Sequence, residues 1–494
     1  MRDMSETESE KGPFTGQGEV TEMEQKKTVQ TENKMGVMPV DRLLVSMSLP
    51  MMISMLVQAL YNIVDSIFVS RVSEQALRAV SLAFPIQSLM IAVSVGTAVG
   101  INAFLSRTLG EKEFEKANTI AVNGIFIEMV SYVAFALVGI FASRPFFESQ
   151  TPIQQVREYG VSYLTICCVA GIGIFMQVVF ERLLQSTGKT IYAMITQGAG
   201  ALINLVLDPI LIFGWFGLPE MGVAGAAAAT VAGQMAAAVL AVVFNLKFNR
   251  ELHLTFRGFR PDKSLIGGIY KVGIPSIIMQ AIGSLMTYGM NLILEAFGAA
   301  QTVFGIYFKL QSFIFMPIFG LNNGMVPIIA YNFGAGSRER VTATIKSSIR
   351  YAVCIMLAGL VVMQLLPGQL IGLFDAEASS GLLEIGIPAL RIISLSFCFA
   401  GYCIVVGSVF QALGNGVYSM ITSIARQLCV LLPVAWLFSL TGNVNRIWWA
   451  FPIAELASLA LSTFFLVRIH RNIISRMGED VPGKKAGKRV AERA

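Results

Sequence analysis

The chain has 494 residues, of which 54% are hydrophobic and only 14% are charged, and its mean hydropathy is +0.65. Apolar runs long enough to cross a bilayer recur along the sequence, so this composition excludes an ordinary soluble protein of such length. The formal net charge of +6 comes largely from loops and a basic C-terminal tail, and we expect no binding to nucleic acid from it.

The apolar runs predict an all-α polytopic membrane protein with twelve transmembrane helices, each long enough for roughly 30 Å of hydrocarbon. The first six spans are predicted at residues 44–70, 80–106, 118–142, 159–184, 190–213 and 222–247. The second six are predicted at residues 266–297, 302–333, 343–366, 383–411, 416–440 and 446–468.

The two sets of six spans repeat one another. Gln87, Ser88, Gly96, Gly100 and Gly110 recur in the second half with identical spacing, as Gln311, Ser312, Gly320, Gly324 and Gly334. A second set recurs in nearly the same register and comprises Gln185, Gly188, Tyr192, Met194, Ile195 and Thr196, matched by Gln411, Gly414, Tyr418, Met420, Ile421 and Thr422. Internal duplication of this kind predicts two similar six-helix bundles and is typical of secondary transporters.

The predicted division of the chain follows from this repeat. We expect a disordered cytoplasmic tail at 1–40, an N-terminal six-helix lobe at 41–248, and a cytoplasmic linker at 249–264. A C-terminal six-helix lobe at 265–471 and a basic cytoplasmic tail at 472–494 complete it. The predicted N-terminal tail contains no apolar core of the kind found in signal peptides.

Lysine and arginine are concentrated in the loops after the even-numbered spans and in the C-terminal tail. The positive-inside rule therefore predicts that both termini are cytoplasmic. We expect a multi-pass protein of the plasma (inner) membrane, acting as a monomer in the lipid bilayer.

The sequence contains no pattern typical of an enzyme or of an ATP-driven pump. The two histidines, His253 and His470, lie near the predicted cytoplasmic surface, and the six cysteines lie within predicted spans. There is no zinc-type cluster, phosphate-binding loop or nucleophile elbow. We predict no catalysis, no metal site and no cofactor other than a coupling ion.

Ionisable residues inside spans are costly in hydrocarbon and so are functional candidates. They are Asp65, Glu128, Glu181, Asp208, Glu295, Lys309, Arg391, Arg426 and Glu455. Glu181 beside Arg182, and Arg391, lie near predicted span ends, so we expect them to snorkel to water. For Glu128 and Glu295, which no motif supports, a structural role is the preferred interpretation.

Asp65 and Asp208 differ because the repeat supplies an internal control. The equivalent positions in the second half are apolar, Met290 and Leu432, so the scaffold does not require these aspartates. A functional role competes with one alternative, that Asp65 simply meets water near the outer end of span 1.

Polar neighbours favour the functional role. Tyr61 and Asn62 precede Asp65 by about one helical turn, and Asn204 precedes Asp208 by a similar distance, so each carboxyl has polar groups on its own helix face. Burial and a nearby like charge favour the protonated form of a carboxyl, so such a residue can load and release a proton.

Five segments in order resemble the multidrug and toxic compound extrusion (MATE) family over residues 40–470. They are Tyr61 to Asp65, Pro50, Asn204 to Pro209, Gly222 to Ala227, and Pro327 to Gly334. The resemblance is to the bacterial branch whose acidic pair lies in the N-terminal lobe. It implies two bundles related by an axis along the membrane normal, with a central cleft that opens alternately to each side.

The resemblance also implies export of organic cations, drugs and dyes in exchange for H⁺ or Na⁺. Carried over residue by residue, the N-lobe cation site corresponds to Asp65, Asn204, Asp208 and Thr230. The sodium-binding carboxylates that some relatives have in spans 7 and 10 have no counterpart here, since the span 7 position is Gly283. H⁺ is therefore favoured as the coupling ion, with Na⁺ as the alternative, bound through the oxygen atoms of the same four residues.

A cleft for varied organic cations should be apolar, adaptable and acidic, and methionine fits many shapes. The expected cleft residues are Gln58, Tyr61, Asn62, Met176, Gln177, Met279, Gln280 and Met286, with Met55 beside them. For each single methionine, core packing or a lipid-facing position is the simpler alternative.

Buried cations in such a cleft would repel cationic substrates, so we expect Lys309 and Arg426 to be paired or to lie elsewhere, with Glu455 as partner for Arg426. The rival hypothesis is a flippase for lipid-linked oligosaccharides or related lipid precursors. Anionic diphosphates would need several basic residues in the cleft, and fourteen spans would favour it over twelve. The sequence leaves open the identity of the substrate and the roles of Glu295, Lys309, Arg426 and Glu455.

Overall fold

The computed structural model describes residues 33–373 and 380–477, and within them the secondary structure is helical. In these two ranges, ten helical segments are long and apolar enough to cross a membrane, and two bent helix pairs supply two more. The prediction of an all-α protein with twelve spans is confirmed.

Spans 1 to 6 form the N-terminal lobe. They are the helices Val40–Ser70, Glu74–Gly110 and Phe114–Phe141, the pair Gln154–Val169 with Ile172–Ser186, and the helices Thr190–Phe213 and Gly222–Phe248. Ser143–Gln150 is a short connecting helix, and Trp215–Gly217 is a 3₁₀ turn.

Spans 7 to 12 form the C-terminal lobe. They are Lys263–Leu294, Ala300–Gly334, Arg338–Leu365, the pair Ser380–Ser394 with Phe397–Ala412, the continuous run Gly416–Ile424, Ala425–Leu431 and Leu432–Ser439, and Ala450–Asn472. The segment Ala425–Leu431 is a π-helix. Pro367–Gly372 and Val444–Ile447 are short helices, and Glu295–Phe297 and Ile474–Arg476 are 3₁₀ turns.

The bends fall at equivalent places in the two repeats. Span 4 bends by 41° between its two helices and span 10 bends by 50°. In each case a short break, at 170–171 or 395–396, interrupts the helix. Because both bends lie at the same step of the six-span unit, the structure preserves the symmetry that the sequence repeat predicts.

Spans 1 and 2 of one lobe pack against spans 8 and 7 of the other. A Cβ added to Gly100 would lie 3.0 Å from the backbone nitrogen of Gly273, and one added to Gly324 would lie 2.7 Å from the Cα of Ser48. Gly110 and Gly334 lie as closely against the backbones of Tyr331 and Arg107. The repeated glycines therefore permit close contact between lobes, where a side chain would not fit.

These glycines lie in the halves of their helices nearer to one face of the bundle. Twelve spans return the chain to the face from which it starts, so we call the face near Val40 and Asn472 the terminal face. The lobes are closed against each other at this face.

The predicted boundaries of the tails need correction. The predicted disordered tail, 1–40, lies outside the described residues as far as residue 32, but Lys34–Val37 forms a helical turn with Met35 fully buried. At the other end, Ile474 is also buried, so the ordered lobe continues past the predicted boundary at 471. The predicted tail beyond residue 477 lies outside the described residues. Short apolar stretches next to a span can dock against it, and the charge density of a tail does not indicate such docking.

Candidate functional site

A cavity of about 800 Å³ lies between the two lobes. Seven of the eight predicted cleft residues line it, namely Gln58, Tyr61, Asn62, Gln177, Met279, Gln280 and Met286. Gln58, Asn62 and Gln280 are exposed, so solvent reaches the cavity. Because the lobes are closed at the terminal face, the cavity opens toward the opposite face.

The prediction that Met176 lines the cleft is wrong. Its side chain packs instead against two apolar clusters, one within the N-terminal lobe and one that extends across both lobes. Successive residues of an α-helix are rotated by about 100°, so Met176 lies on the flank of a helix whose neighbouring face, with Gln177 and Glu181, lines the cavity.

The structure brings the four residues of the expected cation site together. The carboxyl groups of Asp65 and Asp208 lie next to each other, close enough to interact directly. Asn204 Nδ2 donates to Asp208 Oδ1 at 3.3 Å and to Thr230 Oγ1 at 3.4 Å. Asn204 and Thr230 line the cavity whereas the two aspartates lie behind them. We call Asp65 and Asp208 the aspartate pair.

The aspartate pair retains unused hydrogen-bonding capacity. Asp65 Oδ1, Asp208 Oδ2 and Asn204 Oδ1 are buried and have no hydrogen-bond partner within residues 33–373 and 380–477. Two facing carboxylates repel each other when both are ionised, so a cation, or a proton on one of them, stabilises this arrangement. The free oxygen atoms are acceptors suited to either ligand.

Tyr61 lines the cavity and interacts electrostatically with both carboxyl groups. On another side Tyr163 and Cys167 of span 4 lie near Asp65. Gln87 of span 2 donates to Tyr163 Oη at 3.2 Å. Gln87, which belongs to the repeated motif, therefore helps to hold Tyr163 near Asp65.

Glu181 does not snorkel to water, contrary to the prediction. It is 3% exposed and lines the cavity, where it accepts hydrogen bonds from Gln177 at 3.0 Å, from Thr196 at 3.0 Å and from Gln197 at 2.7 Å. Gln197 also accepts a hydrogen bond from Ser54 of span 1. Spans 1, 4 and 5 therefore meet at this carboxyl, and the C-terminal lobe covers the end of span 4 that the sequence suggested would reach water.

Arg182 is also buried, because the C-terminal lobe covers this end of span 4, and its side chain links the two lobes. Its Nη1 donates to Gln185 Oε1 at 2.7 Å and to Asn323 Oδ1 of span 8 at 2.9 Å. The contact with Asn323 lies at the end of the cavity nearest the terminal face, where it adds a polar contact to the glycine packing.

The expected pairing of Arg426 with Glu455 is confirmed. Arg426 Nη1 lies 2.6 Å from Glu455 Oε1, and both side chains line the C-lobe half of the cavity. Arg426 lies in the π-helical segment of span 11, and π-bulges are frequent at functional sites. The positive charge is thereby neutralised where it faces the cavity.

The remaining ionisable candidates lie away from the cavity. Lys309 is exposed and does not line it, as predicted. Glu295 is exposed at the end of span 7, and Arg391 is exposed on span 10. None of these three contributes charge to the cavity wall.

The sequence reasoning missed Glu181, Arg182 and Gln197 as cavity residues. A signal was present, because Gln177 and Glu181 lie one helical turn apart and so share one helix face. Asn323 gave no such signal, since its contact with Arg182 depends on how the lobes pack.

The sequence model of the MatE family matches residues 50–210 and 275–437. The starts of the two matched segments, residues 50 and 275, are separated by nearly the same number of residues as the two copies of the sequence repeat.

Relatives of this family match most of the chain. The multidrug export protein MepA of Staphylococcus aureus (strain bovine RF122 / ET3-1) is 26% identical over 445 residues, which is 88% of this chain and 95% of that protein. MepA of Staphylococcus saprophyticus is 28% identical over 436 residues, 86% of this chain and 93% of that protein.

Solved structures agree in fold. A crystal structure of MATE in complex with MaL6 superposes with a TM-score of 0.84 at 25% identity, covering 91% of this chain and 100% of that one. An outward-facing conformation of a multidrug resistance MATE family transporter of the MOP superfamily gives the same TM-score and identity and covers 91% and 99%.

Proposed function

The chain belongs to the MatE family of multidrug efflux transporters, and we propose that it is an antiporter that exports small organic cations in exchange for protons by alternating access. We place it in the plasma membrane as a monomer with both termini in the cytoplasm, so the cavity faces outward in this conformation. The observation on which the proposal rests is the contact between Asp65 and Asp208 behind the cavity wall.

The aspartate pair is the proposed proton site. Two adjacent carboxyl groups share a proton more readily than they hold two negative charges. Asn204 joins the pair to Thr230 in the cavity wall, so a change in protonation can alter the wall that a substrate touches. Proton uptake from the outside would then favour release of an organic cation from the cavity.

The cavity supports the proposed substrate class. Its wall combines the thioethers of Met55, Met279 and Met286 with neutral amides and with the carboxyl of Glu181. Flexible apolar groups accommodate cations of different shape, and the carboxyl favours a positive charge. The relatives named multidrug export proteins support the same assignment.

The lipid-flippase alternative has less support. A diphosphate headgroup needs free basic side chains, but the two arginines that line the cavity are both engaged, Arg182 with Gln185 and Asn323 and Arg426 with Glu455.

Replacement of the aspartates tests the proton site. In proteoliposomes, Asp65→Asn keeps the side-chain size but removes the exchangeable charge, and we expect it to abolish gradient-driven efflux of a cationic dye. Asp208→Asn should act similarly. If the two residues act as one unit, the double variant is no worse than the more damaging single variant. Glu295→Gln, at an exposed carboxylate outside the cavity, is the control and should transport normally.

The coupling ion is tested with the wild-type chain. We expect dye extrusion on imposing a pH gradient in sodium-free buffer. Extrusion that requires a Na⁺ gradient and persists after collapse of the pH gradient contradicts proton coupling but leaves the antiporter in place. Wild-type efflux by Asp65→Asn contradicts the role of the aspartate pair. If a second proton enters per exported cation, each 100 mV adds roughly 2.3 kcal/mol to the driving force, so the voltage dependence reports the stoichiometry.

A further inference from the structure

Glu128 lies in the middle of span 3, outside the cavity and away from the aspartate pair, and it is fully buried. Neither of its carboxyl oxygens has a hydrogen-bond partner in the part of the chain that the structure describes. None of the salt bridges among the described residues involves Glu128. A carboxyl retained at this depth without a partner is costly, so its presence calls for a ligand.

Other polar groups surround Glu128 and also lack partners. Ser94 and Thr97 of span 2 are fully buried, and neither hydroxyl makes a hydrogen bond to any described residue. Ser94 lies close enough to Glu128 to interact with its carboxyl, although at a geometry that forms no hydrogen bond. We call Ser94, Thr97, Glu128 and Tyr270 the seam cluster.

Tyr270 brings the other lobe into this cluster. It belongs to span 7, interacts electrostatically with Glu128, and lies close to the hydroxyls of Thr97 and Ser131. It is the titratable group that faces Glu128 from span 7, whereas span 2 contributes only the two neutral hydroxyls. Span 4 also packs on span 3, but no charged residue of its described part forms an ion pair with Glu128.

The seam between spans 2 and 7 shields the cluster from water. A Cβ added to Gly96 would lie 2.8 Å from the backbone nitrogen of Ile277, so the two helices are in backbone contact within one turn of Ser94 and Thr97. The seam is a contact between lobes, and alternating access requires such contacts to open.

A proton is the ligand that fits this cluster. A protonated carboxyl is neutral, and it donates one hydrogen bond to a hydroxyl such as that of Ser94 or Thr97 while its other oxygen accepts one. One carboxylate also balances the charge of Na⁺, and the hydroxyls supply oxygen ligands, so Na⁺ is the competing ligand that the test below separates from a proton.

We propose that Glu128 is a second proton-binding carboxyl, which is occluded in this conformation and exchanges its proton with water when spans 2 and 7 separate. This inference extends the proposed function, because a proton released here on opening toward the terminal face adds to the one handled by the aspartate pair. It requires movement between the lobes but not transport of any particular substrate.

Infrared spectroscopy of the purified full-length chain in lipid nanodiscs tests the proposal without a transport assay. A protonated carboxyl in an apolar site has a distinct C=O stretching band. We expect a band near neutral pH that is lost in Glu128→Gln and persists in the Asp65→Asn, Asp208→Asn double variant. A band of unchanged intensity in Glu128→Gln overturns the assignment, and so does a band that Na⁺ abolishes at constant pH.

The occlusion is tested by exchange of the same band in D₂O. Gly96→Ala pushes span 2 away from Ile277, and we expect exchange to accelerate at least about tenfold, which corresponds to roughly 1.4 kcal/mol less favourable closure. Gly305→Ala is the matched control, because a Cβ added there meets no described atom within 4 Å apart from its own stretch of helix. Equal, rapid exchange in wild type and both variants contradicts occlusion. Failure of dye transport alone would affect the proposed function but not this result.

Discussion

Arg426 and Glu455 place a charge pair in the wall of a cavity that is proposed to bind cations. Glu455 is nearly buried and its partner is about a third exposed. Glu455→Gln leaves the guanidinium without its counter-charge, and we expect a loss of stability of about 2 kcal/mol, measured as a lower midpoint of thermal unfolding in detergent.

The unpaired charge should also weaken binding of a cationic dye to Glu455→Gln. In the double variant Arg426→Gln, Glu455→Gln, both charges are absent, so most of the stability and the dye affinity should return. If the double variant is as unstable as Glu455→Gln, the loss of stability does not come from an unpaired guanidinium. The 2.6 Å contact between Arg426 and Glu455 then does not neutralise the charge of Arg426.

Glu181 supplies the N-lobe carboxyl of the cavity wall. Glu181→Gln keeps the shape of the side chain but removes its capacity to carry negative charge, so we expect dye affinity to fall about tenfold, roughly 1.4 kcal/mol. Equilibrium binding of a fluorescent cation measures this. A neutral dye of similar size is the control, and an equal loss of its affinity would assign the effect to disturbed packing with Gln177, Thr196 and Gln197.

Residue positions along a span were the weakest part of the sequence interpretation. The prediction that Glu181 reaches water assumed that the end of a span is exposed, which fails where the other lobe covers that end. Asp65 and Asp208 could be singled out as candidates because the apolar residues at the equivalent positions of the repeat, Met290 and Leu432, provided a comparison within one chain. No such comparison exists for Met176, whose orientation depends on the bend in span 4.

At the scale of helices, the repeated glycines determine how closely the lobes approach. Gly324→Ala would place a methyl group 2.7 Å from the Cα of Ser48, and the helices must separate to accommodate it. We expect a destabilisation of the closed terminal face by about 1–3 kcal/mol and a larger population with that face open. Spin labels on the two lobes, at the exposed positions Lys116 and Glu339 in a cysteine-free background, measure the separation.

Gly305→Ala in the same helix provides the control, because a Cβ there meets no atom of the described residues within 4 Å apart from its own stretch of helix. It should leave the distance distribution unchanged. Equal distributions for Gly324→Ala and the wild type would show that the helices adapt without separating. The sequence repeat alone does not show that these glycines join the two lobes, since identical motifs in both repeats fit contacts within a lobe equally well.

At the scale of the whole molecule, twelve spans and their two-fold repetition follow from apolar length and periodic identity, so both were predictable. The relation between the lobes is not encoded in any one segment. Asn33 shows this, because it joins the N-terminal turn to Glu251 at 2.6 Å in the segment between the lobes, and no local pattern indicates such a contact.

The N-terminal turn Lys34–Val37 bridges both lobes at the terminal face. On the C-lobe side, Arg340 Nη2 donates to the carbonyl oxygens of Met35 at 2.9 Å and Met38 at 2.7 Å, and Asn332 Nδ2 donates to Met35 at 3.0 Å. Burial, together with nearby Lys189, lowers the pKa of Lys34, and Glu251 opposes this shift. The docked turn therefore binds a proton less tightly than a free segment, and docking strengthens as the pH rises toward the ordinary lysine pKa.

Because this turn contacts both lobes only while they are together at the terminal face, it should stabilise the closed arrangement. Removal of residues 1–38 eliminates the buried Met35 side chain and leaves Arg340 without the two carbonyl acceptors, so we expect the population open at the terminal face to increase at least about tenfold. The labels at Lys116 and Glu339 report it. Removal of residues 1–32 alone retains every one of these contacts and is the matched control. If the two truncations have the same closed population, the turn does not stabilise the closed arrangement. If the closed population falls only in the longer truncation, the effect is due to the segment 33–38.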